Sequence, residues 1–228
     1  MGGPGADRAA RGRVRRQGGD RMTRQPLPRG EVIGEAAFGL EHDSSWAANA
    51  EVAAAGARGE RRTAKALGEL AARPGGPAVL HDVAIPIPGF TANIDHVLVS
   101  GRTVVLLDSK SWKPGFYWTL AGTSRRGREL FAHADNQTMA MAYQSISRRL
   151  AARADTATAT VAQPLVLVWP SKGERPVHTW ALRPPGARAV PARVGLRMLS
   201  KRSLQRNADP SVVACLVPLV ASLRARTE

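Results

Sequence analysis

Two aspartates and a lysine interrupt an otherwise apolar stretch, residues 93–110, which reads NIDHVLVSGRTVVLLDSK. Asp95 stands near the beginning of this stretch, and Asp108 and Lys110 stand at its end. Carboxylates supply the hard oxygen ligands that Mg²⁺ prefers, and an ammonium beside them can stabilise developing negative charge. If the three side chains meet, they favour hydrolysis assisted by a divalent cation.

The residues around Gly101-Arg102 predict a β-hairpin. Val, Ile, Leu and Thr dominate both flanks, as in buried strands, and a Gly-X pair between them suits a type II′ turn. If Ser100 pairs with Thr103, the numbers of cross-strand partners sum to 203. A slip of one residue would turn one of the acids to the other face of the sheet.

This register places Asp95 directly opposite Asp108, and Lys110 points to the same face. Carboxylates so placed lie about 5 Å apart and repel each other. A cation bound between them relieves the repulsion. The alternative is that Lys110 forms a salt bridge with one acid while the other acid reaches solvent.

A helix is expected over residues 45–73, with Ser44 or Ser45 as its N-cap. Two glycines, at positions 56 and 59, make a break in its middle an open alternative. Glu60 lies on the apolar stripe that packs against the sheet, together with Ala64, Leu67 and Ala71. Glu60 therefore points either to the site or to solvent at the rim of the helix.

The remaining pattern predicts a mixed α/β (α+β) domain with a small central sheet flanked by helices. Residues 121–130 are expected to form a basic loop, and Pro218 is expected to kink the last helix. Further strands are expected at 79–86, 116–120, 164–169 and near Trp180 and Val190. Further helices are expected at 136–152, 200–207 and 209–226.

The composition limits the class of protein. The chain has 228 residues and one cysteine, Cys215, which lies in an apolar run. This excludes internal disulfides and cysteine-based zinc sites and fits a cytoplasmic setting. There is no apolar run of 18 residues for a membrane span and no apolar core of a secretory signal.

The charge predicts a polyanionic partner. The formal net charge is +15, and residues 1–30 hold eight arginines and two aspartates in a Gly- and Arg-rich context. We interpret residues 1–44 as a disordered tail and residues 45–228 as the domain. A basic tail beside a basic domain is typical of nucleic-acid binding. The alternative is compositional bias from a GC-rich genome, since arginines far outnumber lysines.

Three segments together resemble a known family. They are GERRTAKALGEL (59–70), VLHDVAIP (79–86) and NIDHVLVSGRTVVLLDSKSW (93–112), the last followed by Gly115. The combination resembles the nuclease-related domain (NERD) family of the PD-(D/E)xK nuclease superfamily. The resemblance covers about residues 57–118, with weaker support to 150.

The resemblance implies a restriction-endonuclease-like fold and catalytic roles for Glu60, Asp95, Asp108 and Lys110. Position 108 departs from the family, where glutamate is usual. The family's later glutamine matches Gln144, with Gln137 as the alternative, because the Asn-Pro that often precedes it is missing here.

The chemistry of these residues suits phosphodiester hydrolysis. Asp95, Asp108 and the Ser109 carbonyl would hold Mg²⁺ or Mn²⁺, and Glu60 would position water or support a second metal. Lys110 would orient or deprotonate the attacking water. The arginines expected to hold nucleic-acid phosphates are Arg125, Arg126, Arg148 and Arg149.

Several other polar and aromatic residues favour structural roles. His96 alternates to the sheet face opposite Asp95, the Ser109 side chain does likewise, and His81 is expected in the core. Trp112 and Trp118 either stack on bases or pack at the sheet edge.

Three functions remain after this reading. The first is a metal-dependent nuclease acting on DNA, with RNA as the alternative substrate. The second is a non-catalytic nucleic-acid-binding module with the same fold. The third is an interaction domain whose acids form salt bridges. Retention of an acid-acid-lysine set favours the nuclease, because a binding module gains nothing from repelling carboxylates.

Overall fold

The computed structural model describes residues 1–2, 28–38, 50–173, 175–201 and 204–225. The helices are α1 (Ala50–Ala71), α2 (Thr138–Ala151), α3 (Ala192–Leu199), α4 (Pro210–Leu216) and α5 (Ala221–Arg224). The strands are β1 (Val32–Ile33), β2 (Ala78–Ala84), β3 (Asn93–Ser100), β4 (Thr103–Trp112), β5 (Gly115–Leu120), β6 (Thr123–Arg126), β7 (Glu129–Leu130), β8 (Thr160–Val161), β9 (Leu165–Pro170), β10 (Val177–Ala181) and β11 (Arg188–Pro191). Short 3₁₀ helices span Ala132–Ala134 and Val217–Leu219.

The larger sheet in the described chain has seven strands, in the order β1-β2-β3-β4-β9-β11, with β8 alongside β4. The β2-β3 and β3-β4 pairs are antiparallel, whereas β1-β2, β4-β9 and β9-β11 are parallel. Parallel pairs need crossover connections, and helices supply them. The predicted mixed sheet flanked by helices is confirmed.

Each face of the larger sheet has its own apolar core. Leu67 and Leu70 of α1 pack with Leu98 and Leu107 on one face, together with Leu199 of α3. Packing on the opposite face involves α2 and the C-terminal helices, through Met139, Ala142, Ile146, Leu150, Val212 and Leu216. Side chains that alternate along β3 and β4 therefore enter two different environments.

A smaller four-stranded sheet has the order β10-β5-β6-β7. Its strands β6 and β7 occupy residues 123–130, so the predicted basic loop is wrong there. Two-residue connections, Ala121-Gly122 and Gly127-Arg128, separate paired residues of successive antiparallel strands. These short turns make the segment a meander of strands.

Helix α1 runs without a break through Gly56 and Gly59. A Cβ atom at position 59 would lie 2.7 Å from the Ser111 Oγ atom, so a glycine lets the helix approach β4 closely. The predicted start at Ser44 or Ser45 lies outside the described residues.

Part of the segment assigned to the N-terminal tail belongs to the fold. Val32–Ile33 pairs in parallel with Val79 and Leu80 at the edge of the larger sheet, and Ala37 is buried. Two apolar residues carry too little pattern to predict such a strand. Most of residues 1–44 lies outside the described ranges.

The predicted helix at 200–207 is wrong in the residues described there, and α3 lies directly before it. Ala192, Gly195 and Leu199 form the buried stripe of α3, whereas SKRSLQRN holds a single large apolar residue, Leu204. The predicted kink at Pro218 is confirmed, because α4 gives way there to a 3₁₀ turn.

In the described parts of the chain, no helix combines the length and the apolar character that crossing a membrane requires.

Candidate active site

The hairpin of β3 and β4 has the predicted register. Pairs run from Ser100 opposite Thr103 to His96 opposite Leu107, and Gly101 has the positive φ, 56°, that the first turn residue of a type II′ turn requires. Asp95 follows the last recorded pair, so its counterpart in this register is Asp108.

Both acids lie on the sheet face that α2 covers. Asp95 alternates in phase with Val97, and Asp108 with Leu106; these two apolar side chains belong to the core on that face. The recorded pairing stops one position before Asp95 and Asp108, so their direct opposition extends the predicted register and stays a prediction.

Lys110 meets Asp108 directly. Its Nζ atom donates to Asp108 Oδ1 at 2.6 Å, and the side chains are 38% and 14% exposed. Burial lowers the pKa of Lys110, but Asp108, Asp95 and Glu60 together outweigh that effect and raise the pKa above its ordinary value. Lys110 is therefore protonated at neutral pH. The Lys110–Asp108 ion pair is also the salt bridge expected under the alternative interpretation of the sequence, in which Lys110 pairs with one of the two acids.

The carboxylate of Asp95 accepts a hydrogen bond from the backbone amide of Ser109 at 2.6 Å. Burial and the negative charge of Asp108 raise the pKa of Asp95 to about 7, although Lys110 and the Ser109 amide oppose the shift. One lysine therefore does not neutralise the two aspartates, and Asp95 retains a proton in part of the molecules at neutral pH.

Glu60 reaches the same charge environment from α1. Its side chain is buried, with 8% exposure, as predicted for the sheet-facing stripe. Burial, and then the charge of Asp95, raise the pKa of Glu60 to about 9, although Lys110 opposes the shift. The site is therefore deficient in positive charge when no cation is bound.

The structure adds Asp82 of β2, to which the sequence analysis assigned no role. Asp82 is buried, has an unusual positive φ of 51°, and accepts a hydrogen bond from Asn93 Nδ2 at 2.7 Å. The β2-β3 ladder has no recorded pair between Asp82 and Asp95, although pairs flank this position on both sides. The charge of Asp82 contributes to the raised pKa of both Asp95 and Glu60. The sequence signal that could have identified Asp82 was the presence of an acid inside a predicted buried strand.

A buried polar network lies on the opposite face of the sheet, under α1. Thr63 is its centre: Thr63 Oγ1 accepts from Ser109 Oγ at 2.8 Å and from Trp169 Nε1 at 2.9 Å, and donates to the Gly59 carbonyl at 3.2 Å. Ser109 lies between Asp108 and Lys110, and Gly59 precedes Glu60. The network thus fixes the backbone beside the site residues.

The two predicted core histidines extend this network. His81 and His96 share a hydrogen bond between their Nδ1 atoms at 2.8 Å, and His96 Nε2 lies 3.3 Å from Ser109 Oγ. Burial lowers the pKa of His81 to about 4, and burial with the neighbouring His81 lowers the pKa of His96. The neutral rings have the structural role that the sequence favoured.

Replacing Thr63 with the isosteric valine is expected to lower the free energy of unfolding by about 1–3 kcal/mol, because buried Ser109 and half-buried Trp169 lose a shared partner. Urea unfolding followed by circular dichroism measures this change. The matched control is Thr91→Val, at an exposed loop position. A loss below about 0.5 kcal/mol for Thr63→Val, the usual range of surface changes, would contradict a stabilising network.

The two glutamine candidates belong to α2 and its N-cap. Gln144 is exposed on α2, and Gln137 is the exposed N-cap of that helix. Within the described residues, neither glutamine has a hydrogen bond to Glu60 or to the two aspartates. A role for Gln144 stays a prediction.

The four predicted phosphate-binding arginines have different surroundings. Arg149 Nε donates to the Cys215 carbonyl at 3.0 Å and thereby ties α2 to α4. Arg126 forms an ion pair with Glu129. Arg148 and Arg125 bond only to nearby backbone carbonyls among the described residues, so their charges are not balanced by carboxylates there.

A mixed sheet with helices on both faces, with acids and a lysine at neighbouring strand ends, defines the restriction-endonuclease-like class of folds. Residues 55–155 match the family model described as the nuclease-related domain. The resemblance that the sequence indicated is confirmed over this part of the chain, and placement in the PD-(D/E)xK superfamily is consistent with the match. No curated protein and no solved structure matches the chain.

Proposed function

We propose that this protein is a metal-dependent nuclease that hydrolyses phosphodiester bonds in DNA. The observation that carries the proposal is the Lys110-Asp108 ion pair at 2.6 Å beside Asp95, with buried Glu60 in the same charge environment. Repelling, partly buried carboxylates destabilise a fold. Such groups are concentrated at sites that bind a ligand or carry out a reaction.

The donor chemistry fits a hard divalent cation. Among the described residues, no three His, Cys, Asp or Glu side chains are arranged as a ready-made metal site. Mg²⁺ does not need such a site, because it binds through one or two carboxylates and keeps several waters. We assign Asp95, Asp108 and the Ser109 carbonyl as its protein ligands, with Glu60 in support, and Mn²⁺ as an equivalent ion.

The ion, when bound, would supply the positive charge that polarises a phosphate oxygen and a water molecule. Lys110 acts as a hydrogen-bond donor that orients the water and stabilises charge on the phosphate, because its raised pKa disfavours the alternative role of a base. Glu60 holds the attacking water from the α1 side. Arg148 binds the DNA backbone at the exposed end of α2.

Incubation with supercoiled plasmid tests the proposal. We expect nicking with Mg²⁺ or Mn²⁺, none with EDTA, and a loss of about 10²–10³-fold for Asp108→Asn, which removes a charge that faces the ion. The matched control is Asp155→Asn, an exposed acid paired with Arg153. Nicking that persists in EDTA, or an Asp108→Asn variant as active as Asp155→Asn, would refute the assignment.

A second candidate function is a non-catalytic nucleic-acid-binding module. The supporting observation is that Lys110 and the Ser109 amide each hold one oxygen of an aspartate, so protein groups partly compensate both carboxylates. This function predicts retardation of plasmid in a gel without nicking under any metal condition. Substituting RNA for plasmid in the same assay separates the two nucleic acids as substrates.

A further inference from the structure

The outward face of the smaller sheet carries exposed apolar side chains. Four of the large hydrophobic side chains that are exposed in the described residues lie on this one sheet: Phe116, Leu120, Leu130 and Trp180. Trp180 is 73% exposed, which is rare for an indole outside an interaction site. A clustered exposed patch of this kind marks a binding surface.

Aromatic rings line up on this face. Phe116 and Trp180 are in contact, with ring centroids 5.1 Å apart and an interplanar angle of 40°. The register of β5 and β10, with His178 beside Phe116, brings Trp118 and His178 to the same face. Trp118 Nε1 donates to the Gly127 carbonyl, so its polar atom is satisfied within the protein. We call Phe116, Trp118, His178 and Trp180 the aromatic face.

A basic groove adjoins the aromatic face at Phe116, which lines both. The charged side chains among the described groove residues are Lys113, Arg126, Arg128, Lys172, Arg175 and a single carboxylate, Glu129. Cations therefore dominate the groove, and its charge complements a polyanion. A protein partner with an apolar interface would not require this excess of positive charge.

The groove begins close to the candidate active site. Lys113 follows the end of β4 and stands three residues after Lys110, about 10 Å along an extended chain. A flexible polyanion lying in the groove can thus extend to the acids of the site.

We propose that the aromatic face and the basic groove bind single-stranded DNA, with bases stacked on Phe116 and Trp180 and phosphates held in the groove. Stacking of this kind requires unpaired bases, because the base faces of a duplex are already covered by neighbouring bases. The role of this surface in cleavage rests on the proposed function, because single-stranded DNA is then the form of DNA that the nuclease cleaves. The binding itself needs neither metal nor cleavage.

Fluorescence anisotropy in EDTA tests the proposal with a labelled oligothymidine of about 15 nucleotides, within the site sizes of single-strand binding folds. The comparison ligands are an abasic oligomer, a duplex and an oligouridine of the same length. Trp180→Ala is expected to weaken oligothymidine binding about tenfold and to leave abasic binding unchanged, because one stacked base is lost. Trp180→Phe is expected to restore most of the affinity, whereas Trp180→Leu is not.

Two controls make the result specific. Val32→Ala, an exposed change on the far edge of the larger sheet, is expected to bind like the wild type, and Phe116→Ala repeats the test with a second ring. Equal binding of the duplex, tighter binding of oligouridine, or full affinity in both Trp180→Ala and Phe116→Ala would overturn the proposal. Concentration-dependent dimerisation that Trp180→Ala abolishes would overturn it in favour of a second copy of the chain.

The outcome is separable from that of the nicking assay. Stacking-dependent binding with no cleavage of either the plasmid or the oligothymidine under any metal condition would support the binding surface and refute the nuclease. Nicking of the plasmid, together with unchanged oligothymidine affinity in Trp180→Ala and Phe116→Ala, would refute the binding surface and support the nuclease.

Discussion

Lys110→Met is expected to reduce Mg²⁺-dependent nicking of supercoiled plasmid about 10³-fold, because it removes a positioned charge from the reacting phosphate and water. The methionine retains the apolar stem of lysine and its approximate volume. DNA binding measured by gel retardation is expected to change little, since the arginines of the surface supply the affinity. The loss would then fall on the chemical step, which single-turnover kinetics measures.

The matched control is Lys65→Met, an exposed lysine on α1. Its activity is expected to equal that of the wild type, which separates the local role of Lys110 from the general effect of one lost charge. A Lys110→Met enzyme that retains half of the wild-type rate would show that the ion pair with Asp108 is only structural.

Glu60→Gln is expected to stabilise the metal-free protein at pH 8 by roughly 4–5 kcal/mol, because glutamine fills the same buried space without ionising and pH 8 lies about 3.5 units above the pKa of the unfolded carboxyl. The pKa of Glu60 is raised from 4.5 to about 9 on folding. Between these values the folded state binds a proton that the unfolded state has released, so this group's contribution to stability falls as pH rises from about 4.5 to about 9. The Glu60→Gln variant lacks this decrease of the unfolding free energy with pH. Urea unfolding of both proteins at pH 4.5 and pH 8 in EDTA measures the difference.

Glu69→Gln, at an exposed position on the same helix, is the control and is expected to change the unfolding free energy by less than about 0.5 kcal/mol. The wild type and the Glu60→Gln variant are expected to differ little in unfolding free energy at pH 4.5, where Glu60 is protonated in the folded state. A Glu60→Gln variant that is less stable than the wild type at pH 8 would contradict the buried, uncompensated carboxyl.

The hairpin at the centre of the site could be predicted from local sequence. A Gly-X pair between two apolar runs determines both the turn and the register, and the register then determines the faces of all side chains. The recorded register is the predicted one, and Lys110 forms an ion pair with Asp108 on β4. Helical periodicity likewise placed Glu60 against the sheet.

The secondary structure was predicted wrongly in segments whose pattern of apolar residues is weak. The basic side chains of residues 121–130 favour a loop in the sequence pattern, whereas two short turns make the segment the β6-β7 meander. The predicted helix at 200–207 has no clear apolar stripe, whereas the packing of Gly195 and Leu199 selects α3 instead. Tertiary packing overrides propensity where a segment has no clear apolar stripe.

The sequence by itself determined the core of the nuclease-related domain, since a tight turn and the period of apolar residues act between near neighbours. Only the tertiary structure decided which distant groups share the site's charge, because solvent exclusion and Coulomb interactions depend on distance in space. Asp82 joins the acids through an irregular strand pair, and Thr63 joins Ser109 and Trp169 across the α1-sheet interface. The aromatic face likewise exists because β10 pairs in parallel with β5, more than fifty residues earlier in the chain.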